Sequence, residues 1–170
     1  MYKRTTLLLG TALTSTAFAG DLDVKIEVPL LTVAAYHKPY VAIWIEGQDQ
    51  RFVRNLAVWH QLKSKGNEGD KYLKDLRQWW RKSGRDLQMP VDGLSGATRA
   101  PGTHTISFNG TKAGLNDLPA GEYQLVVEAA REAGGRELVR VPFQWPARSA
   151  KTTQAKGDAE LGEIALTVKP

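Results

Sequence analysis

The sequence predicts a mainly β protein, an antiparallel immunoglobulin-like sandwich with one inserted amphipathic helix. About seven short segments alternate apolar and polar residues or are continuously apolar, and turn residues separate them. One stretch in the middle of the chain instead repeats its apolar residues with helical spacing. The chain contains no Cys, which excludes disulfides, thiolate metal sites and iron–sulfur clusters, so stability must come from packing.

The N-terminal segment 1–19 has the pattern of a secretory signal peptide. Lys3 and Arg4 provide its positive charge, and a short, mostly apolar stretch runs from Leu7 to Phe18 before an A-x-A cleavage site that ends at Ala19. This stretch is too short to span a bilayer, which takes about 20 apolar residues. We therefore predict a periplasmic protein that does not span the membrane.

A single β-sandwich domain is predicted for residues 20–170. In chain order, the segments with strand patterns are 22–28, 40–46, 52–59, 103–108, 121–129, 136–144 and 161–168. The second and third of these segments form one predicted hairpin, and the fifth and sixth form another. Residues 147–157 are polar and small and are predicted to be a surface loop.

The predicted helix covers about residues 70–83. Its apolar positions recur at i, i+1, i+4, i+7 and i+8, and they are Tyr72, Leu73, Leu76, Trp79 and Trp80. Asp70 is a suitable N-cap, and Gly84 is a suitable stop. We expect Trp79 to seal this helix onto the sandwich.

The charged residues are interpreted mainly as a solvated surface. The net charge is +5, but an exported chain seldom meets nucleic acid, so a nucleic-acid partner is not predicted. Acidic and basic residues are interleaved late in the chain, at Glu128, Arg131, Glu132, Arg136 and Glu137. An acidic partner or an anionic membrane surface stays open as an alternative.

Residues 92–98 read Asp-Gly-Leu-Ser-Gly-Ala-Thr and are predicted to lie in a loop at 92–102. Four of these residues have a small side chain or none, namely Gly93, Ser95, Gly96 and Ala97. They leave the backbone open to a bulky reactant. Asp92 can fold its carboxylate onto nearby backbone N–H groups and close the turn. Thr98 ends the segment with a hydroxyl that is a poor nucleophile unless a base activates it, and no such base is evident in the sequence nearby.

This segment resembles the acceptor motif at which bacterial flavin transferases attach FMN to Thr or Ser through the FMN phosphate. The motif reads Asp, a small residue, any residue, Ser or Thr, Gly, Ala, then the modified Thr or Ser, and every position matches here. The resemblance implies Thr98 as the covalent anchor and a flavin transferase as a partner. Arg99 could neutralise the phosphodiester, or could be a simple exposed arginine. Trp80 could stack on the flavin ring, or could pack on the sandwich.

Other chemistries have weaker signals. The histidines are His37, His60 and His104, and a zinc or copper site built from them stays an alternative, although their spacing shows no ligand pattern. Ser95 lacks the strand-to-helix context of a hydrolase nucleophile. No catalytic residue is therefore predicted.

Over residues 20–168 the chain resembles a family of predicted periplasmic proteins, the domain of unknown function 2271. The residues that carry the resemblance are 40–46, Trp59-His60, Trp79-Trp80 and 92–102. The resemblance implies an association with membrane flavin transfer and with PepSY- or haem-type membrane redox proteins.

We therefore expect a periplasmic flavoprotein-type electron carrier with FMN on Thr98. The alternative is a non-enzymatic binding module for a protein, a metal or haem, in which the loop is only structural. A hydrolase with unrecognised active groups is a third possibility.

Overall fold

The computed structural model describes residues 20–63 and 65–170. The predicted signal peptide at 1–19 lies outside these residues. In the described part the strands are β1 Asp21–Val28, β2 Tyr40–Gly47, β3 Phe52–His60, β4 Ser95–Ala97, β5 Gly102–Phe108, β6 Gly121–Ala130, β7 Arg136–Trp145, β8 Lys151–Lys156 and β9 Glu163–Lys169.

The strands form two sheets that pack as a sandwich. One sheet has the order β5-β1-β9-β8, and the other has the order β4-β3-β2-β6-β7. Both predicted hairpins are present, as β2–β3 and β6–β7. The mainly β sandwich that the sequence predicts is confirmed, with β3–β4 as a parallel pair in an otherwise antiparallel arrangement.

Two strands lie where the sequence predicts loops. β4 is part of the predicted 92–102 loop, and it pairs with β3 through Val58↔Ser95, Trp59↔Gly96 and His60↔Ala97. β8 lies within the predicted 147–157 loop and pairs with β9. Both are edge strands, and neither alternates buried apolar with exposed polar residues. The periodicity that reveals a half-buried strand is therefore missing from them.

The main core lies between the sheets, and the alternation of each strand explains which residues enter it. In β1 the side chains of Leu22, Val24, Ile26 and Val28 are buried in this core. In β2 both faces are buried, because a helical segment covers the outer face of its sheet. That double burial is the physical reason for the continuously apolar sequence of β2.

The helical segment is broken, where the sequence predicts one helix at 70–83. A 3₁₀ stretch covers Lys65–Asp75, α1 covers only Arg77–Lys82, and a second 3₁₀ turn covers Gly84–Asp86. Leu76 leaves helical geometry with ψ near 70°, so neither Asp70 nor Gly84 caps a continuous helix. The predicted apolar face is nevertheless correct: Leu73, Leu76 and Trp79 are fully buried against the sheet.

A buried carboxylate holds α1 on the sheet, which corrects the interpretation of the 128–137 charges as a solvated surface. Glu128 is 0% exposed, and its oxygens accept hydrogen bonds from the N–H of Gln78 at 3.1 Å and of Trp79 at 2.8 Å. Arg136 donates to the same carboxylate at 2.6 Å.

Arg131 is also buried and pairs with Glu160. Glu137 is not a free surface charge either, because its carboxylate accepts backbone N–H bonds from 158, 159 and 161. Taking a charge out of water costs free energy unless the charge is paired or hydrogen-bonded, and each of these charged groups has such a partner.

Across the described residues, no helix is both long and apolar enough to cross a bilayer.

Candidate functional site

Thr98 lies at one end of the sandwich, which we call the Thr98 end, whereas the start of the acceptor-like segment at 92–94 lines a separate depression beside Phe108, the last residue of β5. Strand pairing defines the Thr98 end: Val28 at the end of β1 faces Gly102 at the start of β5, and the end of β3 faces the end of β4. The connections that meet there are 29–39, 61–63, 98–101, 131–135 and 157–162. Arg131 and Glu160 join two of these connections across the sheets by a buried ion pair.

A tight turn begins the segment and leads into β4. The N–H groups of Leu94 and Ser95 donate to the Val91 carbonyl at 3.2 and 2.9 Å, and Ser95 Oγ accepts from the Val91 N–H at 2.9 Å. Gly93 has φ +72°, a conformation that other residues adopt only with strain. The side chain that closes this turn is that of Ser95, whereas the sequence assigns the bond to Asp92, which is exposed.

β4 is pinned closely to β3. A Cβ added to Gly96 would lie 3.2 Å from Trp59 Cδ1, so the Trp59 ring would have to shift by a few tenths of an ångström to accept a larger residue. Beyond Ala97, the Thr98 N–H donates to the His60 carbonyl at 3.2 Å. The backbone of Thr98 is thereby fixed at the point where the strand ends.

The half-buried Thr98 lines two shallow depressions at this end. Their volumes are about 260 and 220 Å³, and the residues common to both are Lys38, Gln61 and Thr98. Pockets that hold small molecules by contact alone are usually about 300–1,000 Å³. Each depression is therefore too small to enclose a flavin-sized molecule.

Cationic side chains stand around Thr98. Lys38 and Lys63 line the depressions and are exposed. Arg99 is exposed too, but its guanidinium lies 5.4 Å from the centre of the Trp59 ring. This cation–π contact holds the guanidinium on the Trp59 side of the sheet, and Arg99 lines neither of the two depressions that contain Thr98.

His60 is a buried, titratable group at the same site. Its side chain is 1% exposed, and its Nδ1 lies 3.4 Å from the Asp70 carboxylate. Neither ring nitrogen has a hydrogen-bond partner among the described residues, and the Asp70 carboxylate attracts the ring only when His60 is protonated. Burial lowers the pKa of His60, and Asp70 partly opposes this effect. The sequence does not mark His60 as buried, because its burial comes from Tyr40 and from the distant Asp70 segment.

Trp80 is not brought to Thr98. Trp79 is fully buried and donates from Nε1 to Asn55 at 2.8 Å, which confirms that it seals the helical segment onto the sandwich. Trp80 is half-buried and packs beside Trp79, with ring centres 6.3 Å apart. Within the described part of the chain, the side chains at the two depressions include Tyr36 and Leu62 and do not include Trp80.

The three histidines are separated. His37 lies 3.7 Å from Glu132, while His104 packs on Trp59 and contacts the Ala100 carbonyl. His60 belongs to the cluster on the opposite face of the sheet from Trp59. Over residues 20–63 and 65–170, no group of three or more His, Cys, Asp or Glu side chains could hold a metal ion.

Comparison with known proteins identifies the family. The family model described as "Predicted periplasmic protein (DUF2271)" matches residues 21–163. No curated protein and no solved structure matches the chain. The family description confirms the predicted periplasmic location. Because the match covers most of the chain, the protein belongs to the DUF2271 family of predicted periplasmic proteins.

Proposed function

We propose that this protein is a periplasmic electron carrier with FMN joined through its phosphate to Thr98 Oγ. The observation that carries the proposal is the position of Thr98 at the end of a complete acceptor-like segment. The turn and β4 fix its backbone, while its side chain lines two open depressions. Gly93, Ser95 and Gly96 build this support, and the Ser95 hydroxyl is occupied by its bond to Val91, whereas the Thr98 side chain lines the depressions.

The charges around Thr98 suit a phosphodiester. Such a group carries a negative charge, and charged donors bind it more strongly than neutral ones. Lys38 and Lys63 at the depressions can supply these donors, whereas the Arg99 guanidinium would first have to leave the Trp59 ring. The residues present therefore fit the anchor and the phosphate.

The two depressions that Thr98 lines are too small to hold a flavin by contact alone, which favours a covalent attachment at Thr98 over a cofactor bound there. A flavin on this open surface would dissociate, and outside the cytoplasm it would be lost by diffusion. FMN supplies the electron-transfer chemistry when attached. The chain anchors it, neutralises its phosphate and leaves it accessible to membrane redox proteins of PepSY or haem type, the partners that the family resemblance implies.

Attachment uses the Thr98 hydroxyl as the nucleophile. Its oxygen forms a bond to the FMN-side phosphorus of FAD, the phosphoanhydride bond breaks, and AMP leaves with the electron pair. The hydroxyl proton passes to a base that the flavin transferase supplies. In this reaction the protein is a substrate, and it is not a stand-alone enzyme.

The test is an intact-mass measurement after co-expression with an exported flavin transferase, alongside a known acceptor. We expect one FMN adduct, retained in Thr98→Ser and lost in Thr98→Ala. Thr103→Ala is a matched control, because Thr103 is a nearby exposed threonine on β5. An unmodified wild-type mass beside a modified known acceptor would contradict the proposal.

The binding-module alternative is favoured by the structural roles of the segment. Gly93 permits the turn, Ser95 closes it, and Gly96 allows close packing on Trp59. Under this alternative Thr98 stays unmodified, and the Thr98 end is a contact surface. The mass measurement separates the two functions.

A further inference from the structure

A cleft opens between the edges of the two sheets, at the end of the sandwich opposite Thr98. The 146–150 connection joins the end of β7 to the start of β8, whereas the 131–135 and 157–162 connections at the Thr98 end meet the other ends of these strands. β7 and β8 are both edge strands, and they lie on the same side of the sandwich. The cleft beside them has a volume of about 390 Å³, which is within the range of small-molecule sites.

The base of the cleft is apolar and belongs to the core between the sheets. Phe143 of β7 and Val168 of β9 line the cleft, and both side chains are buried. Pro146 and Ala147 continue this apolar surface along the connection. A ligand that rests here covers apolar side chains, so its binding gains from an apolar body.

Strand register places a lysine on the core side of β8. Lys151 is the direct partner of Val168 on β9. Direct partners on neighbouring strands project from the same face of a sheet, and Val168 is part of the core. Lys151 therefore projects toward the cleft, which it lines. Lys156 lies on the same strand, but it is five positions further along and projects from the opposite face.

The charges that line the cleft are all positive. Arg148 in the connection lines it together with Lys151, and Ser149 and Thr153 add their hydroxyl groups. None of the lining residues is Asp or Glu. Within the part of the chain that the structure describes, neither of these cationic side chains forms an ion pair. An inward lysine protects an edge strand from pairing with another chain, but this role does not account for Arg148.

We propose that this cleft binds a small organic anion, a carboxylate on an apolar body. The Arg148 guanidinium and the Lys151 ammonium hold the carboxylate, because charged donors bind such a group more strongly than neutral donors do. The apolar body rests on Phe143 and the side chains beside it. Inorganic phosphate has no apolar body, so it should bind more weakly than the organic acid.

This site does not depend on a flavin at Thr98. The two sites lie at opposite ends of the sandwich, so a group on Thr98 would not enter the cleft. Wild-type protein and Thr98→Ala should therefore bind the anion equally. Failure of the flavin proposal would leave this one standing, and the reverse also holds.

The test is an NMR titration of labelled protein with octanoate. Octylamine and octanol have the same apolar chain with a positive or a neutral head group, and inorganic phosphate is the head group without a chain. We expect octanoate to shift the amide signals of residues 147–153 in a saturable way, with a dissociation constant of about 1 mM for so small a ligand. Octylamine should leave these signals unchanged, and octanol and phosphate should bind several times more weakly.

Three charge variants test the assignment of the carboxylate. Lys151→Gln and Arg148→Gln should each weaken octanoate binding about fivefold, because each removes one charged contact at a solvent-exposed site. Lys156→Gln is the matched control, because it removes the same charge from the opposite face of the same strand, and it should bind as wild type does. Wild-type signal dispersion in each spectrum would show that the variants are folded.

Three outcomes would overturn the proposal. The first is the absence of saturable octanoate shifts at residues 147–153 in the wild-type protein. The second is equal binding of octanoate and either octanol or octylamine, which would show an apolar cleft that does not select an anion. The third is an equal effect of Lys151→Gln and Lys156→Gln, which would show that only the net charge of the protein matters.

Discussion

Replacing Glu128 by Gln tests whether a buried carboxylate holds the helical segment on the sandwich. The carboxylate accepts the N–H groups of Gln78 and Trp79, one on each oxygen, and also bonds Arg136. Gln has the same shape but offers one acceptor oxygen. Its amide group would point a donor at one of these N–H groups and leave that group unpaired. The guanidinium would also lose its charged partner.

The expected loss in the free energy of unfolding follows from the burial of Glu128. Breaking a buried ion pair costs about 3–5 kcal/mol. The Arg136 side chain is 36% exposed and can regain water, so we expect the lower end, about 3 kcal/mol. In a chain of this size, each kcal/mol lowers Tm by about 2–4 °C. Glu128→Gln should therefore lower Tm by about 6–12 °C.

Urea unfolding followed by tryptophan fluorescence and circular dichroism measures the loss of about 3 kcal/mol in the free energy of unfolding, and thermal unfolding measures the Tm shift. Glu122→Gln is the control, because Glu122 is an exposed acid on the same strand and should change stability by less than about 0.5 kcal/mol. A loss below about 1 kcal/mol in Glu128→Gln would refute the reasoning. The Thr98 end is built by other residues, so flavin attachment should persist in the folded fraction.

Three further predictions concern stability and the site. Burial holds the pKa of His60 below its ordinary 6.5, so the unfolded chain binds more protons and stability falls as the pH drops below about 6.5. His60→Gln should remove this fall of stability with pH, measured by urea unfolding at several pH values. His37→Gln, at an exposed histidine, should leave it unchanged. Gly84→Ala should cost about 1–3 kcal/mol by calorimetry, since its Cβ would lie 2.4 Å from the Trp79 ring. Ser95→Ala removes the turn's side-chain bond, should cost about 1 kcal/mol, and should slow flavin attachment in a mass-spectrometric time course; an unchanged rate would argue against the turn's role.

Local patterns in the sequence predict much of the fold. Alternation predicts β1, and a continuous apolar run predicts β2, because strand burial leaves a signature in neighbouring residues. Helical spacing predicts the buried face that contains Trp79, although it does not predict the break at Leu76. That break depends on how the segment lies on the sheet.

The sequence by itself determined the sandwich class, the open, small-residue segment before Thr98 and the absence of cysteine chemistry. The tertiary structure decided that this segment partly becomes β4, that Glu128 is buried, and that His60 lies beside Asp70. It also decided that Trp80 lies away from Thr98, while Leu62 and Lys38 share its depression. The physical reason is that these features are made by residues far apart in the chain. Their burial and charge environment exist only after the two sheets and the helical segment have packed.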